Sequence, residues 1–363
     1  MAVLDVTNNQ VAILLGNRKG SFSLTSGFSL PASFSCISVG DFNGDGNLDL
    51  AIGSSQTTSG SHPMSSLFIM LGSGNGNFTL SRTISIWGPA NQMVVGDFNN
   101  DGHLDIVTIG SMQNVDVVYG DGTGNFSAGT SSIPGVYGLL SVVAADFNGD
   151  GNLDLAIATF GQGVQIYFGN GSGSFTPGTV PLLTTALPGS LVSADLNRDG
   201  KADLVVTDYA SSSVFALLGK GDGTFTQSTK ISTGFLPSTV VVGDLNLDGI
   251  PDVVVNSGSS NGFAYLIGNG AGGFTQHNVT IPSTLQPNGL AIADLNHDGL
   301  LDVIFADQNS GMVEVLANNL TASSTATLTP VNITGATSQT VHAAYGGNSA
   351  YATSTSGTVT LAP

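Results

Sequence analysis

A short acidic motif occurs six times in this chain at a nearly constant spacing. Each copy follows the pattern Asp-x-Asn-x-Asp-Gly-x-x-Asp, and the copies begin 56, 49, 49, 49 and 50 residues apart. A fixed period of this size is typical of a repeat architecture, in which each repeat buries its apolar face against its neighbours. The copies are DFNGDGNLDL from Asp41, DFNNDGHLDI from Asp97, DFNGDGNLDL from Asp146, DLNRDGKADL from Asp195, DLNLDGIPDV from Asp244 and DLNHDGLLDV from Asp294.

Four strand-like segments accompany each motif. One apolar run enters it, a second leaves it, and a third ends in a glycine-rich turn closed by an aromatic residue, as in GSGNGNF ending at Phe78. A weaker segment rich in Ser and Thr completes the unit. Abundant Gly and a single Glu argue against helices and for short strands joined by tight turns. The sequence therefore predicts an all-β fold, a β-propeller built from four-stranded blades.

The residue types of the motif predict a cation site. Asp41, Asn43 and Asp45 offer side-chain oxygens at positions 1, 3 and 5, and Asp49 at position 9 completes the cage, while Gly46 permits a sharp turn. Position 7 varies between copies, as expected of a residue that contributes its backbone carbonyl. Oxygen ligands without a His or Cys cluster favour Ca²⁺ over zinc or copper.

The sequence thus predicts about six calcium ions as the cofactors of the chain. Six empty Asx turns are the alternative, but three carboxylates within nine residues repel one another without a cation. The predicted ligands are Asp41, Asn43, Asp45, Asn47 and Asp49; Asp97, Asn99, Asp101, His103 and Asp105; Asp146, Asn148, Asp150, Asn152 and Asp154; Asp195, Asn197, Asp199, Lys201 and Asp203; Asp244, Asn246, Asp248, Ile250 and Asp252; Asp294, Asn296, Asp298, Leu300 and Asp302.

The motif and the downstream Gly-x-x-x-Gly-x-Phe turn together resemble the FG-GAP/VCBS repeats, the propeller units also found at the head of integrin α chains. The resemblance covers roughly residues 1–318. It implies a calcium-bearing propeller with the ion loops on one face and ligand-contacting loops on the other.

Both ends of the chain depart from the repeat. Residues 1–22 match the second and third strands of a blade, so we expect seven blades with the first one incomplete. A signal peptide is then expected upstream of Met1. Residues 319–363 are rich in Thr, Ser and Ala and resemble the final strands of a bacterial Ig-like repeat. The predicted division is a propeller at 1–318 and a short β-rich tail or partial Ig-like module at 319–363.

Composition narrows the range of partners. Of 25 acidic residues, 18 lie in the six motifs, and the chain has only seven Lys and Arg. A surface so poor in positive charge cannot neutralise phosphates, so nucleic acid is not expected as a partner. No apolar run is long enough to span a bilayer, and no membrane insertion is expected. Loops of extracellular type would stay nearly empty at cytosolic calcium levels, which favours an extracellular or cell-surface location.

The loops opposite the motifs are the predicted ligand face. Exposed aromatic rings on a rigid rim suit stacking on sugars or anchoring a protein partner. The alternative is that each ring fills a gap between blades. The candidate contact residues are Trp87, Tyr137, Phe160, Tyr209 and Phe235.

No catalytic arrangement can be recognised in the sequence, because the five His are scattered and no nucleophile lies on a strand-to-helix turn. We therefore expect a non-catalytic binding module for adhesion or for glycan and matrix recognition, as part of a larger secreted chain. Two alternatives stay open: the substrate-binding propeller of a secreted polysaccharide-degrading enzyme, and a structural spacer.

Overall fold

Seven antiparallel sheets follow one another along the chain in the computed structural model, and all are built from consecutive strands. The first sheet has three strands and the next six have four. The structure describes residues 1–5, 9–18, 21–55, 64–110, 114–129, 133, 136–178, 182–183, 187–279, 281–307, 309–310, 312–318, 331–332, 344–345 and 354–355. Within these residues no helix occurs, so none is long and apolar enough to cross a membrane.

The first four blades contain fifteen strands. They are β1 (Ala2–Asp5), β2 (Gln10–Gly16) and β3 (Phe22–Ser29); β4 (Phe34–Gly40), β5 (Asp49–Ser54), β6 (Met64–Gly72) and β7 (Phe78–Trp87); β8 (Gln92–Gly96), β9 (Asp105–Gly110), β10 (Asn114–Gly120) and β11 (Phe126–Ala128); β12 (Leu139–Ala145), β13 (Asp154–Thr159), β14 (Gly163–Gly169) and β15 (Phe175–Pro177).

The last three blades contain four strands each, and a short hairpin follows them. The strands are β16 (Pro188–Ala194), β17 (Asp203–Asp208), β18 (Ser213–Gly219) and β19 (Phe225–Ser232); β20 (Val240–Gly243), β21 (Asp252–Asn256), β22 (Phe263–Gly268) and β23 (Phe274–Asn278); β24 (Pro287–Ala293), β25 (Asp302–Asp307), β26 (Met312–Leu316) and β27 (Val331–Asn332); β28 (Ala344–Tyr345) and β29 (Ser354–Thr355).

The position of a strand in its blade explains its composition. The second strands, such as β13 and β17, are buried along their whole length because other strands flank them and neighbouring blades cover both faces. In the sequence, these second strands are the short apolar runs that follow the motif. The fourth strand β19 alternates between half-buried and exposed residues, which accounts for its Ser and Thr content. The predicted seven-bladed propeller of four-stranded blades, with an incomplete first blade, is confirmed.

The first strands of the blades lie side by side around the axis of the ring, from β4 through β8, β12, β16 and β20 to β24. They enclose an axial cavity of about 310 Å³ on the side of the motif loops. Its apolar lining comes from residues two or three positions before the motif in blades 2 to 6, including Val39, Val95, Val143, Val192 and Val241.

The incomplete first blade closes the ring by packing on both of its neighbours. Val3 and Leu14 share a core cluster with Ile304 of the seventh blade. On its other face, Leu4 packs in a cluster with Ile52 of the second blade. Each interface buries apolar side chains of two blades, so the hydrophobic core is distributed around the ring.

The segment beyond residue 318 contributes a strand to the propeller. Val331 pairs with Val313, and β27 thereby forms the fourth strand of the seventh blade. The hairpin of β28 and β29 comes next, and β28 lies beside β24 and β4, the first strands that flank the first blade. Most of the predicted Ig-like module falls outside the described residues.

Candidate metal centres and the opposite face

The six motif copies form the loops that join the first and second strands in blades 2 to 7, and all of them lie on one face of the ring. The Gly at position 6 has a φ between 75° and 89° in every copy. Only Gly adopts this left-handed region without strain, so the motif requires it there. Each of the six loops therefore contains one set of the sequence-predicted ligand residues.

Backbone N–H groups of each loop are bound by its own side chains. In the third blade, Asp97 accepts hydrogen bonds from the N–H of Asp101 to Oδ1 (3.1 Å) and of Gly102 to Oδ2 (2.9 Å). Asn99 Oδ1 also accepts from Asp101 N–H (3.0 Å), and Asp101 Oδ1 accepts from His103 N–H (2.9 Å). The loop is thus wound tightly around the oxygens of positions 1, 3 and 5.

The aspartate at position 9 differs from the other two aspartates of the motif because its side chain is buried. Asp105 has no exposed surface, and both of its oxygens accept backbone N–H groups. Phe98 N–H donates to Oδ2 (3.0 Å), and Gly120 N–H, at the end of the third strand, donates to Oδ1 (2.9 Å). All six copies make the same pair of bonds. This aspartate fastens the loop to the blade.

The three carboxylates of a loop act on one another electrostatically. The pKa of Asp105 is raised to about 6, mainly by burial, which outweighs the opposing effect of the two N–H donors; the nearby charges of Asp101 and Asp97 add to the rise. The pKa of Asp154 is also raised to about 6, again mainly by burial. The other four position-9 aspartates shift in the same direction. A divalent cation would favour the charged forms.

The donor set of each loop fits a hard cation such as Ca²⁺, since carboxylate, amide and backbone carbonyl oxygens lie within nine residues of sequence. Across the described part of the chain, however, no group of three or more His, Cys, Asp or Glu side chains is arranged to hold a metal ion. The position-9 carboxylate turns both oxygens to backbone N–H groups. The prediction of six calcium sites therefore stays a prediction.

Neighbouring loops also contact each other around the ring, through the residue at position 4. Asn100 Nδ2 donates to Asn152 Oδ1 in the next loop (2.7 Å). Arg198 donates from its guanidinium to the carbonyl oxygens of Asp248 (2.7 Å) and Gly249 (3.1 Å). Side-chain hydrogen bonds therefore link two pairs of neighbouring loops on this face, those of blades 3 and 4 and those of blades 5 and 6.

The opposite face carries most of the predicted aromatic residues in exposed positions. Trp87, Tyr137, Phe160 and Tyr209 are 49%, 52%, 66% and 51% exposed. Phe235 differs from the prediction, because it is half-buried and packs against the core cluster between the fifth and sixth blades. Four of the five candidate rings thus face solvent, and the fifth fills a gap between blades.

The sequence analysis missed a set of hydroxyl groups on this same face. Ser141, Ser190 and Thr239 each lie five residues before the first Asp of a motif, in three consecutive blades. All three line one cavity. An alignment of the repeats contains this signal, but the contacts that distinguish the three positions are visible only in the fold.

Solved structures share this fold at low sequence identity. A protein from Bacteroides uniformis, provisionally assigned as a 6-phosphogluconolactonase, is 16% identical with a TM-score of 0.67, and 91% of this chain aligns with 94% of that one. The periplasmic gluconolactonase of Pseudomonas aeruginosa is 16% identical with a TM-score of 0.57, covering 91% and 97%. A functionally unknown protein from Desulfotomaculum acetoxidans is 14% identical with a TM-score of 0.62, covering 87% and 91%.

These similarities correct one prediction. The sequence led us to expect that the chain is not an enzyme. This expectation has to be corrected, because proteins named as gluconolactonases share the fold over nearly the whole chain. At 16% identity the likeness shows the fold alone and transfers neither an activity nor a catalytic residue.

The sequence comparisons give the family. The search of curated protein sequences found no match. The model of the FG-GAP-like repeat matches six times, at residues 1–52, 57–108, 97–157, 146–206, 195–255 and 244–305. These matches cover most of the chain and overlap at the motif loops, which agrees with the resemblance of the motif and its downstream turn. The chain belongs to the FG-GAP-like repeat family.

Proposed function

We propose that this chain is the calcium-stabilised recognition module of an extracellular protein, and that it binds a glycan or an extracellular protein ligand in adhesion or matrix attachment. One observation carries the proposal: the two faces of the ring differ chemically. One face carries six loops of oxygen donors. The opposite face exposes Trp87, Tyr137, Phe160 and Tyr209 on a rigid scaffold. Large exposed rings on such a rim are typical of binding surfaces.

Calcium has a structural part in this proposal. In each loop the side-chain oxygens of positions 1, 3 and 5 and the carbonyl of position 7 would hold the ion, with position 9 beside them. The bound ion supplies positive charge that offsets the mutual repulsion of the three carboxylates. At millimolar calcium and the weak affinities of extracellular modules, six sites together would add about 2–8 kcal/mol to the free energy of unfolding.

The first test is thermal unfolding of the intact chain in millimolar calcium and in a chelator. We expect a clearly higher melting temperature in calcium, and a smaller effect of magnesium, which prefers octahedral sites that retain water. Equal melting temperatures in all three conditions would contradict the calcium part of the proposal.

The second test is binding to an array of glycans and matrix proteins in calcium. We expect at least one ligand whose binding is reduced about tenfold or more in Trp87→Ala. Leu80→Ala is the matched control, since Leu80 lies on the same strand and is 45% exposed. No ligand on the array, or equal loss in both variants, would contradict recognition through this face. Release of reducing ends from a polysaccharide by the purified chain would replace the proposal with an enzymatic function.

A further inference from the structure

A cavity of about 350 Å³ opens on the face opposite the motif loops, at the entrances of the first strands of blades 4, 5 and 6. Its volume lies at the lower end of the range for small-molecule sites, roughly 300–1,000 Å³. Among the described residues, none that lines it carries a charge. Hydroxyl groups dominate its polar lining: Ser141, Ser190, Ser238, Thr239 and Ser259.

Two of these hydroxyls are buried and have no hydrogen-bond partner. Ser190 is 5% exposed and Thr239 is 0% exposed, and neither Ser190 Oγ nor Thr239 Oγ1 is hydrogen-bonded. A buried hydroxyl without a partner loses its hydration and gains no hydrogen bond in return, which destabilises the fold. Native structures keep few such groups, so two of them on residues beside one cavity require an explanation, and a bound ligand is one.

In the two preceding blades, the residue five positions before the motif has a hydrogen-bond partner in the next blade. In the third blade, Gln92 Oε1 accepts the N–H of Val142 in the next blade (2.7 Å). In the fourth blade, Ser141 Oγ accepts the N–H of Leu191 in the next blade (3.1 Å). This series of hydrogen bonds between blades stops at Ser190, because the hydroxyl groups of Ser190 and Thr239 bind no group of the next blade.

Irregular backbone places these groups. The pairing of β16 with β17 shifts register between Pro188 and Leu191, and the pairing of β12 with β13 shifts between Leu139 and Ser141. Bulges of this kind redirect side chains and are frequent beside binding sites. The bulge in β16 contains Ser190, whose N–H donates to Thr207 Oγ1 (2.7 Å), so its backbone is fixed, while its hydroxyl has no hydrogen-bond partner.

Apolar surface completes the site. Tyr209 and Leu140 line the cavity and are 51% and 41% exposed. An exposed aromatic ring beside several neutral hydroxyls matches the chemistry of a sugar, which has an apolar ring face and hydroxyl groups at its edge. The lack of charged lining residues, within the described part of the chain, argues against an anionic or cationic ligand.

We infer that this cavity is a binding site for a neutral saccharide, in which Ser190 and Thr239 hydrogen-bond sugar hydroxyls and the ring of Tyr209 contacts the apolar face of the sugar. The inference rests on the proposed recognition function and names its ligand class and its site. It assigns Ser190 and Thr239 a role that no motif in the sequence indicates.

The test uses the intact chain in millimolar calcium and a panel of neutral mono- and disaccharides, including glucose, galactose, mannose, fucose, N-acetylglucosamine, maltose and cellobiose. Saturation-transfer NMR identifies the ligand and calorimetry gives its Kd. We expect Ser190→Ala and Thr239→Val each to weaken binding about three- to tenfold. Both variants remove an unpartnered buried hydroxyl, so their stability should be unchanged or higher.

Matched controls exist in the same chain. Ser38 and Thr108 are also buried with unpartnered hydroxyls, but they do not line this cavity. Ser38→Ala and Thr108→Val should leave the Kd unchanged, whereas Tyr209→Ala should raise it about tenfold or more.

The failures of the two proposals are distinguishable. If no neutral saccharide binds, or if Ser190→Ala and Thr239→Val bind as the wild type does, the saccharide site is wrong. Recognition of an array ligand that depends on Trp87 would then still support the proposed function. Loss of the calcium effect on the melting temperature would contradict the calcium-stabilised module while leaving a saccharide titration interpretable.

Discussion

At the scale of single residues, the aspartate at position 9 of the motif has a role separate from that of the exposed carboxylates. Asp105 is fully buried and accepts the N–H groups of Phe98 and Gly120, whereas Asp101 is exposed and binds only atoms of its own loop. The two aspartates of one motif should therefore respond differently to substitution.

We expect Asp105→Ala to lower the free energy of unfolding by about 2–4 kcal/mol with or without calcium, because it leaves two buried N–H groups without acceptors. This loss outweighs the relief of repulsion from Asp97 and Asp101. Asp101→Ala should reduce only the stabilisation by calcium. Urea unfolding of both variants in calcium and in chelator measures this, and equal behaviour of the two would contradict the separate role of position 9.

A buried glutamate in the seventh blade gives a prediction about pH. Glu314 is 5% exposed, and burial, with a smaller effect from Asp307, raises its pKa. Because the pKa of Glu314 is higher in the folded state than in the unfolded state, its contribution to stability is fully present below the unfolded pKa of about 4.3. This contribution is lost as the pH rises through the folded pKa.

Glu314→Gln should therefore be more stable than the wild type at pH 7.5, and the difference should disappear towards pH 4. Comparing the two proteins at each pH cancels the contributions of titratable groups that do not interact with Glu314. Denaturant unfolding across this range measures the difference, and a wild type that is the more stable protein at pH 7.5 would show that Glu314 has a stabilising partner when charged.

At the scale of the strand and the loop, the glycine that ends the third strand decides how closely the motif loop can approach. A Cβ added at Gly169 would lie 2.1 Å from the carbonyl oxygen of Leu153. The same contact with the residue at position 8 of the motif recurs at Gly72, Gly120 and Gly219. In the seventh blade Asn318 takes this place, and its Nδ2 donates to the position-8 carbonyl.

Gly169→Ala should cost about 1–3 kcal/mol, because the new methyl group meets backbone rather than a flexible side chain. The first blade supplies the matched control. Gly16 ends the equivalent strand, and a Cβ there would meet only the ring of Phe22 at 3.4 Å, an ordinary contact. Chemical unfolding of the two variants compares them, and equal costs would show that the close approach of the loop is unimportant.

At the scale of the whole molecule, the architecture could be predicted from the sequence because each repeat contains the signals that mark the boundaries between its strands. The motif marks the turn between the first two strands, and the Gly–Phe turn marks the boundary between the last two, so the blade can be derived from local patterns. The same reasoning predicted exposed positions for Trp87 and Phe160, and both are exposed in the structure.

Features that depend on contacts between blades could not be predicted. The half-buried position of Phe235 and the unpartnered hydroxyls of Ser190 and Thr239 depend on how neighbouring blades pack. The second attachment of the position-9 aspartate, to the end of the third strand, spans 15 residues at Asp105. Local periodicity carries no information on such pairings, so sequence analysis described this residue only as a ligand.

The fourth strand of the seventh blade, β27, comes from the segment after residue 318. The pairing of Val313 with Val331 and of Met312 with Asn332 places β27 on the outer edge of the seventh blade. A chain that ends at residue 318 lacks this strand, so the edge of β26 loses its cover. We expect a loss of about 1 kcal/mol and a greater tendency to associate, because an uncovered edge strand pairs with other chains.

A chain that ends at residue 335 is the matched control, since it keeps β27 and removes only the residues after position 335. This longer chain should recover the stability and the monomeric behaviour that the shorter one loses. Thermal unfolding and size-exclusion chromatography of the two chains decide the matter. If the chain of residues 1–318 is as stable and as monomeric as the longer one, the propeller ends at the boundary predicted from the sequence and β27 adds nothing to it.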